Sequence, residues 1–246
     1  MNGEARRRLA TRMKKAVSLV FRFRDQTGIR GFYRFAHGWR FADRAALINH
    51  LFVVHGFESY LEIGVRNRSD LYDRINATTK VGVDPDPTAE ADHILTSDSY
   101  FERSDATFDI IFIDGLHTGE QVARDIANAL KALNPGGMIL LHDLNPPTAL
   151  HAREEFEIDG AFPAACPQWN GSSWRGYAMH RKSDPGLEMY VVDVDWGVGF
   201  IRPGRQILYA GPAETYSDLE SHRKEILRLI TVREFLGRHP ARPHAP

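Results

Sequence analysis

The sequence predicts an open α/β sheet with helices on both faces. Three observations lead there. From Phe41 onward, short apolar runs alternate with amphipathic stretches across short connections, the rhythm of a parallel sheet built from βαβ units. The run Phe108-Asp109-Ile110-Ile111-Phe112-Ile113-Asp114 is apolar almost throughout, as a strand buried on both faces should be. Polar residues, most of them acidic, close successive runs, and in open α/β sheets ligands bind beyond the carboxyl ends of the strands.

Each element has its own warrant. Residues 43–55 read as a helix, with Ala46, Leu47, His50, Leu51 and Val54 on one face. Ser59 to Val65 is a short apolar run carrying a glycine turn, and Ser69 to Asn76 reads as a short helix. Lys80 to Pro85 is a second strand stopped by proline, His93 to Thr96 a third, and Phe108 to Asp114 a fourth. Val122, Ile126, Ala129, Leu130 and Leu133 form the stripe of a helix over Thr118–Leu133. Asn134-Pro135-Gly136-Gly137 breaks it, and Met138 to His142 is the fifth strand. Residues 151–187, rich in Pro, Gly and Trp, read as irregular, a lid or substrate loop. Glu188–Val194 and Gly197–Arg202 are separated by Asp195-Trp196 alone, a gap that forces an antiparallel hairpin. A closing amphipathic helix over 217–236 carries Leu219, Ile226, Leu227, Ile230 and Phe235.

Composition narrows the class. The 246 residues are 43% hydrophobic and 26% charged, ordinary for a globular protein and wrong for a disordered or fibrous one. No apolar run reaches transmembrane length. The single cysteine, Cys166, excludes a disulfide framework and a cysteine-based zinc site. The N-terminus has no signal-peptide pattern, so a cytoplasmic protein is expected. Net charge is −1, yet residues 1–40 hold 11 Lys and Arg against Glu4 and Asp25. Leu9, Met13, Val17, Val20 and Phe21 fall near helical spacing there. The expected organisation is therefore a basic helical extension over 1–40, a domain over 41–236 and a disordered tail over 237–246. The extension either packs on protein or sits on an anionic surface.

The polar strand ends carry the chemistry: Glu62 and Gly64, Asp84, Asp98, Asp114 and His117, then His142, Asp143 and Asn145. Asp84 lies 22 residues after Glu62, where an acid at the end of the second strand suits ribose hydroxyls. Gly64 lets the backbone approach a ligand. The stretch Gly64-Val65-Arg66-Asn67-Arg68-Ser69 holds one glycine, whereas a dinucleotide site wants three to cradle a pyrophosphate. The expected ligand has a ribose and no pyrophosphate, which disfavours a nicotinamide dehydrogenase. Bland readings stand beside these. Glu62 and Asp84 can cap helices, Asp98 can be a turn residue, His117 can be a plain helix-start residue, and His142 can be a satisfied core histidine. Trp169, Trp174 and Tyr177 either pack or stack on a sugar ring.

Glu62-Ile63-Gly64-Val65, Val83-Asp84, Phe108 to His117 and Leu133-Asn134-Pro135-Gly136-Gly137 resemble the motifs of class I S-adenosylmethionine-dependent methyltransferases. Asp114-Gly115-Leu116-His117 followed by a helix, then Leu141-His142-Asp143-Leu144-Asn145-Pro146, resembles metal-dependent sugar O-methyltransferases of the macrolide (macrocin-type) and glycan-modifying group. Trp169-Asn170-Gly171 and Val191 to Gly199 are similar to segments recurrent in bacterial members. The resemblance covers about residues 42–202.

It implies a Rossmann-like seven-stranded sheet with an antiparallel last hairpin, and S-adenosylmethionine as cofactor. It also implies a divalent cation, Mg²⁺ or Mn²⁺, a sugar, glycan or other small-molecule acceptor, no nucleic acid, and a homo-oligomer, a dimer foremost. By resemblance, Glu62 and Gly64 contact the methionine end, Asp84 holds the ribose and Asp98 lies near the adenine. Asp114 and Asp143 bind the cation and His117 is the base. Two positions depart from the pattern: Arg68 replaces a common glycine, and His142 replaces a metal-binding acid, so His142 is the expected third ligand, with a softer ion also open. The positive end of the helix after His117 is expected to lower its pKa. Two alternatives remain: a phenolic or catechol O-methyltransferase, and a non-catalytic cofactor-binding protein acting through its basic N-terminus.

Overall fold

The computed structural model describes residues 43–154 and 169–241. The basic extension over 1–40 and Cys166 lie outside them. Among the described residues no helix is long and apolar enough to cross a membrane.

The chain opens with α1 (Arg44–His55), capped by the Asp43 side chain on the Ala46 N–H and ended by Gly56 in the left-handed region. Strands β1 (Ser59–Ile63) and β2 (Thr79–Val83) follow. Helix α2 (Ser97–Arg103) leads to β3 (Phe108–Ile113), α3 (Gly119–Lys131) and β4 (Leu133–Leu141). After the segment outside the described residues come α4 (Ser173–Ser183), β5 (Leu187–Val192) and β6 (Val198–Pro203). The chain closes with α5 (Tyr216–Leu227), β7 (Leu229–Ile230) and α6 (Val232–Arg238).

The seven strands form one sheet of order β2-β1-β3-β4-β6-β5-β7. Strands β2, β1, β3 and β4 run parallel, while β6 is antiparallel to both β4 and β5. The carboxyl ends of β1 and β3 lie side by side, with Ile63 opposite Ile113. Because strand side chains alternate between faces, the sheet splits the core in two. Ile63, Ile111, Ile139 and Val191 face α3, α4 and α5, where Ile126, Tyr177 and Ile226 meet them. Tyr60, Phe112, Leu140 and Tyr190 face α1 and α6, where Leu51 and Phe235 meet them. All five apolar residues of β3 are buried, as the double-sided apolar run predicts.

Several expectations needed correction. His93–Thr96 is not a strand: one isolated bridge joins His93 to Val83, and Thr96 instead caps α2 on Ser99. The seventh strand is Leu229–Ile230 beside β5, inside what the sequence reads as one helix over 217–236. Arg228 in the left-handed region ends α5 there, and Thr231 starts α6 with a capping box. Residues 69–76 hold only a 3₁₀ turn at Tyr72–Arg74. The Asn134–Gly137 stretch lies within β4, where the register with β3 shifts, rather than before the strand. Helix α4 occupies part of the stretch expected to be irregular. The tail does not begin at 237: Gly237 and Arg238 finish α6 and His239 is buried.

Candidate active site

The carboxyl ends of β1 to β4 open into one cavity of about 890 Å³, a size that suits a cofactor-sized ligand. Glu62, Gly64, Asp84, Asp98, Asp114, His117, His142 and Asp143 line it; of the polar strand ends named from the sequence, Asn145 does not.

Glu62 is the penultimate residue of β1, on the same face as Tyr60. It is 1% exposed and accepts a 2.6 Å hydrogen bond from the Tyr60 hydroxyl. Burial pushes its carboxyl up to about 8, against the pull of that hydrogen bond. Gly64 adopts φ +87°, and a Cβ there would meet the Asp114 carbonyl oxygen at 2.3 Å. A glycine is therefore required for β1 and β3 to lie this close at their ends. Asp84 accepts the backbone N–H of Arg66 and of Asp86, each at 2.8 Å. It pins the turn after β1 to the end of β2, and a carboxylate with two such bonds retains lone pairs for a ligand. Asp98, in the first turn of α2, is half exposed on the cavity rim, where Gln121 donates to it at 3.2 Å.

At the ends of β3 and β4 the charged groups converge. His117 sets Nε2 3.3 Å from Asp114 Oδ1 and Nδ1 3.4 Å from Asp143 Oδ2. His142 sets Nδ1 3.3 Å from Asp114 Oδ1 and 3.5 Å from Asp143 Oδ2. Asp114, His117 and Asp143 each offer a ligand atom within 4.8 Å of the others, spacing that one cation can span. His117 stands in that trio where the sequence reading put His142, while His142 is 8% exposed and sets Nδ1 near the same two carboxylates.

The electrostatics reverse one expectation. Burial disfavours an imidazolium at His117, but hydrogen bonding to Asp114 and the charge of Asp143 outweigh it and raise the His117 pKa. The expected lowering by the helix terminus is not seen, because two carboxylates in contact outweigh a partial helix charge. His117 also precedes the cap of α3, which is Thr118. His142 is raised too, burial being overcome by Asp143 and Asp114. Burial opposes ionisation of Asp114, yet His142 and His117 hold its carboxyl well below the usual carboxylate range.

Two further members were given no role by the sequence reading. Asp195, in the turn between β5 and β6, lies 3.8 Å from His142 Nε2. Arg44, the first residue of α1, pairs with Asp195 at 3.1 Å. Only the Asp-Trp-Gly punctuation of the hairpin turn hinted at Asp195, and nothing local marks Arg44. Asn145 braces the site without lining the cavity. Its side chain binds Asp193 and Arg223, and its N–H binds the Trp196 carbonyl. Of the aromatic candidates, Trp174 and Tyr177 are core residues. Trp169 lines the cavity and stacks on the His117 ring, centroids 5.0 Å apart at 16°.

Residues 44–144 match a family model described as a methyltransferase domain. No curated protein matches the chain. Among solved structures, the chain is similar to an SAH-bound methyltransferase of Podospora anserina, with 15% identity over 82% of this chain and 97% of that one, TM-score 0.48. It is similar to an O-methyltransferase of Bacillus cereus in complex with SAH, at 16% identity over 76% and 94%, TM-score 0.43. It is also similar to DesVI of Streptomyces venezuelae, at 13% identity over 73% and 99%, TM-score 0.45. The methyltransferase-domain match spans strands β1 to β4, whose carboxyl ends form the cavity, within a seven-stranded Rossmann-like sheet.

Proposed function

We propose that the chain is a divalent-cation-assisted O-methyltransferase acting on a hydroxyl of a sugar, glycan or glycosylated small molecule. The observation that carries the reading is the Asp114, His117 and Asp143 trio in the same cavity as Glu62, Gly64 and Asp84. The donor set fits a cation: the Asp114 and Asp143 carboxylates converge with His142 Nδ1 3.3 and 3.5 Å from them. That leaves His117, whose Nδ1 is buried with no hydrogen-bond partner among the described residues, to take a proton. Hard oxygens with one imidazole suit Mg²⁺ or Mn²⁺.

In this reading Glu62 and Gly64 receive the methionine end of S-adenosylmethionine, Asp84 the ribose and Asp98 the adenine side. The raised Glu62 carboxyl ionises more readily beside the ammonium of that ligand. A bound cation would lower the pKa of the acceptor hydroxyl and fix its direction. The hydroxyl oxygen displaces the methyl group from the sulfonium, so a C–O bond forms as the C–S bond breaks and S-adenosylhomocysteine leaves. His117 takes the hydroxyl proton in its neutral form. Trp169 and Trp196, both in the cavity wall, offer flat apolar surface for a sugar ring.

The test is methyl transfer from labelled S-adenosylmethionine to a panel of sugars, glycosides and catechols, with EDTA and then with Mg²⁺ or Mn²⁺ restored. Glycoside methylation that EDTA abolishes supports the reading. Transfer to catechols alone moves the acceptor class, and full turnover in chelator removes the cation.

A further inference from the structure

Asp143 is held in an unusual way. It adopts φ +60°, a left-handed conformation that a non-glycine residue keeps only when its surroundings fix it. Its two carboxylate oxygens have different jobs. Oδ2 faces His117 and His142, while Oδ1 accepts a 2.6 Å hydrogen bond from the Asn170 side-chain amide. Asn170 is 1% exposed and reaches Asp143 from 27 residues away in sequence.

The segment carrying Asn170 is itself locked to the site. The N–H groups of Asn170 and Gly171 both donate to the His151 carbonyl at 3.0 Å. The Ser172 N–H donates to the His117 carbonyl at 2.8 Å, and the Ser172 hydroxyl accepts from the Gly119 N–H at 2.8 Å. Gly171 sits at φ +63°, where a Cβ would lie 2.2 Å from the His117 carbonyl oxygen. The backbone therefore passes too close to His117 for any side chain at 171. Trp169, one residue before Asn170, covers the His117 ring. The amide orientation is set by charge, because the reverse flip would put its oxygen against a carboxylate oxygen. The amide oxygen so placed is buried without a hydrogen-bond partner among the described residues.

We propose that Asn170 is a positioning residue: its amide N–H holds Asp143 Oδ1 so that Oδ2 is presented to the cluster at His117. This deepens the functional reading above and rests on it. Partners that orient a metal-binding group typically change metal affinity or activity by about 10–100-fold when removed.

The test uses the full chain with Asn170→Ala, Asn170→Leu and Asp143→Ala. Mn²⁺ uptake is followed by EPR, the His117 ring ¹⁵N signals by NMR at fixed pH, and S-adenosylhomocysteine affinity by calorimetry. Asn170→Ala should weaken Mn²⁺ by about 10–100-fold and move the His117 ring signals, with S-adenosylhomocysteine affinity unchanged. Neither change should appear when the substitution is made on top of Asp143→Ala, because the effect acts through that carboxylate. Asn170→Leu keeps the branched shape without the donor, so it gives the same readouts if the alanine variant folds poorly. Unchanged Mn²⁺ affinity and ring signals in a folded variant would overturn the proposal. Equal effects with and without Asp143 would overturn it too. Wild-type protein that takes up no Mn²⁺ would instead remove the cation from the functional reading, and the ring signals would still decide the role of Asn170.

Discussion

Arg44 and Asp195 stand 151 residues apart and are joined twice. The Arg44 backbone N–H and guanidinium donate to the same oxygen, Asp195 Oδ2, at 3.0 and 3.1 Å. The pair ties the start of α1 to the β5–β6 turn, where Asp195, Trp196 and Gly197 all have positive φ. Burial opposes ionisation of Asp195, but His142 and Arg44 hold its carboxyl well below the usual carboxylate range. Both side chains are largely buried, so removing one partner leaves a stranded charge. Asp195→Ala is expected to lower unfolding free energy by about 3–5 kcal/mol, read from urea denaturation. A loss within ~0.5 kcal/mol, the size of an ordinary surface substitution, would mean that the bond contributes little.

Asp84 has two tasks, and they predict a compound defect. Its carboxylate orders the turn through the Arg66 and Asp86 N–H groups and faces the cavity beside them. Asp84→Ala should weaken S-adenosylhomocysteine binding by about 1.5–3 kcal/mol, the range for hydrogen bonds to a charged group. Calorimetry decides, and unchanged affinity would remove Asp84 from the ribose site.

His117 is expected to limit turnover. General-base catalysis typically contributes about 10²–10⁴ in rate, so His117→Ala should reduce kcat by that order while S-adenosylhomocysteine still binds. The raised His117 pKa keeps the ring protonated further up the pH scale. A cation on Asp114 and Asp143 would offset the pull of those carboxylates, so in the loaded enzyme the rate should climb with pH through the ordinary histidine range, about 6.5. The variant should lose that limb. A near-normal kcat in the variant would place the base elsewhere, His142 being next, or leave the cation alone to activate the hydroxyl.

The fold was legible where the pattern was local. The apolar run of β3 and the hairpin signal each specify an element without help from distant residues. The strand-end acids were legible for the same reason, since the sheet itself brings Glu62, Asp84, Asp114 and Asp143 to one edge. Helix α4 was not, because Gly176 and the polar residues around it read as loop. Gly176 is there for packing: a Cβ at that position would sit 2.5 Å from the Gly119 carbonyl oxygen, so the glycine allows α3 and α4 to touch. Strand β7 is two residues long and exists only because β5 offers an edge. Arg44, Asp195 and Asn170 enter the site by tertiary contact, and a lone charged or amide residue leaves no periodic trace of that.

A last prediction concerns acid stability and the end of α6. His239 is 2% exposed. Its Nε2 pairs with the Tyr190 hydroxyl at 2.7 Å and its Nδ1 with His55 at 3.0 Å. Its carbonyl accepts from His50 at 2.7 Å, so the residue fastens the end of α6 to α1 and β5. Burial first, then His55, Arg202, His50 and Arg238, push the imidazole down to about 3. In the unfolded chain the same ring titrates near 6.5. Between those values the unfolded state binds the extra proton, so stability rises with pH across the window and is lost as pH falls through it. Wild-type Tm should therefore drop steadily from about pH 6.5 toward pH 3. His239→Gln removes the titrating ring. It should start from a lower Tm at pH 8, having lost the Tyr190 and His55 contacts, and decline less steeply with acid. Differential scanning calorimetry at four or five pH values separates the two slopes. Parallel profiles would show that His239 does not set the acid limb.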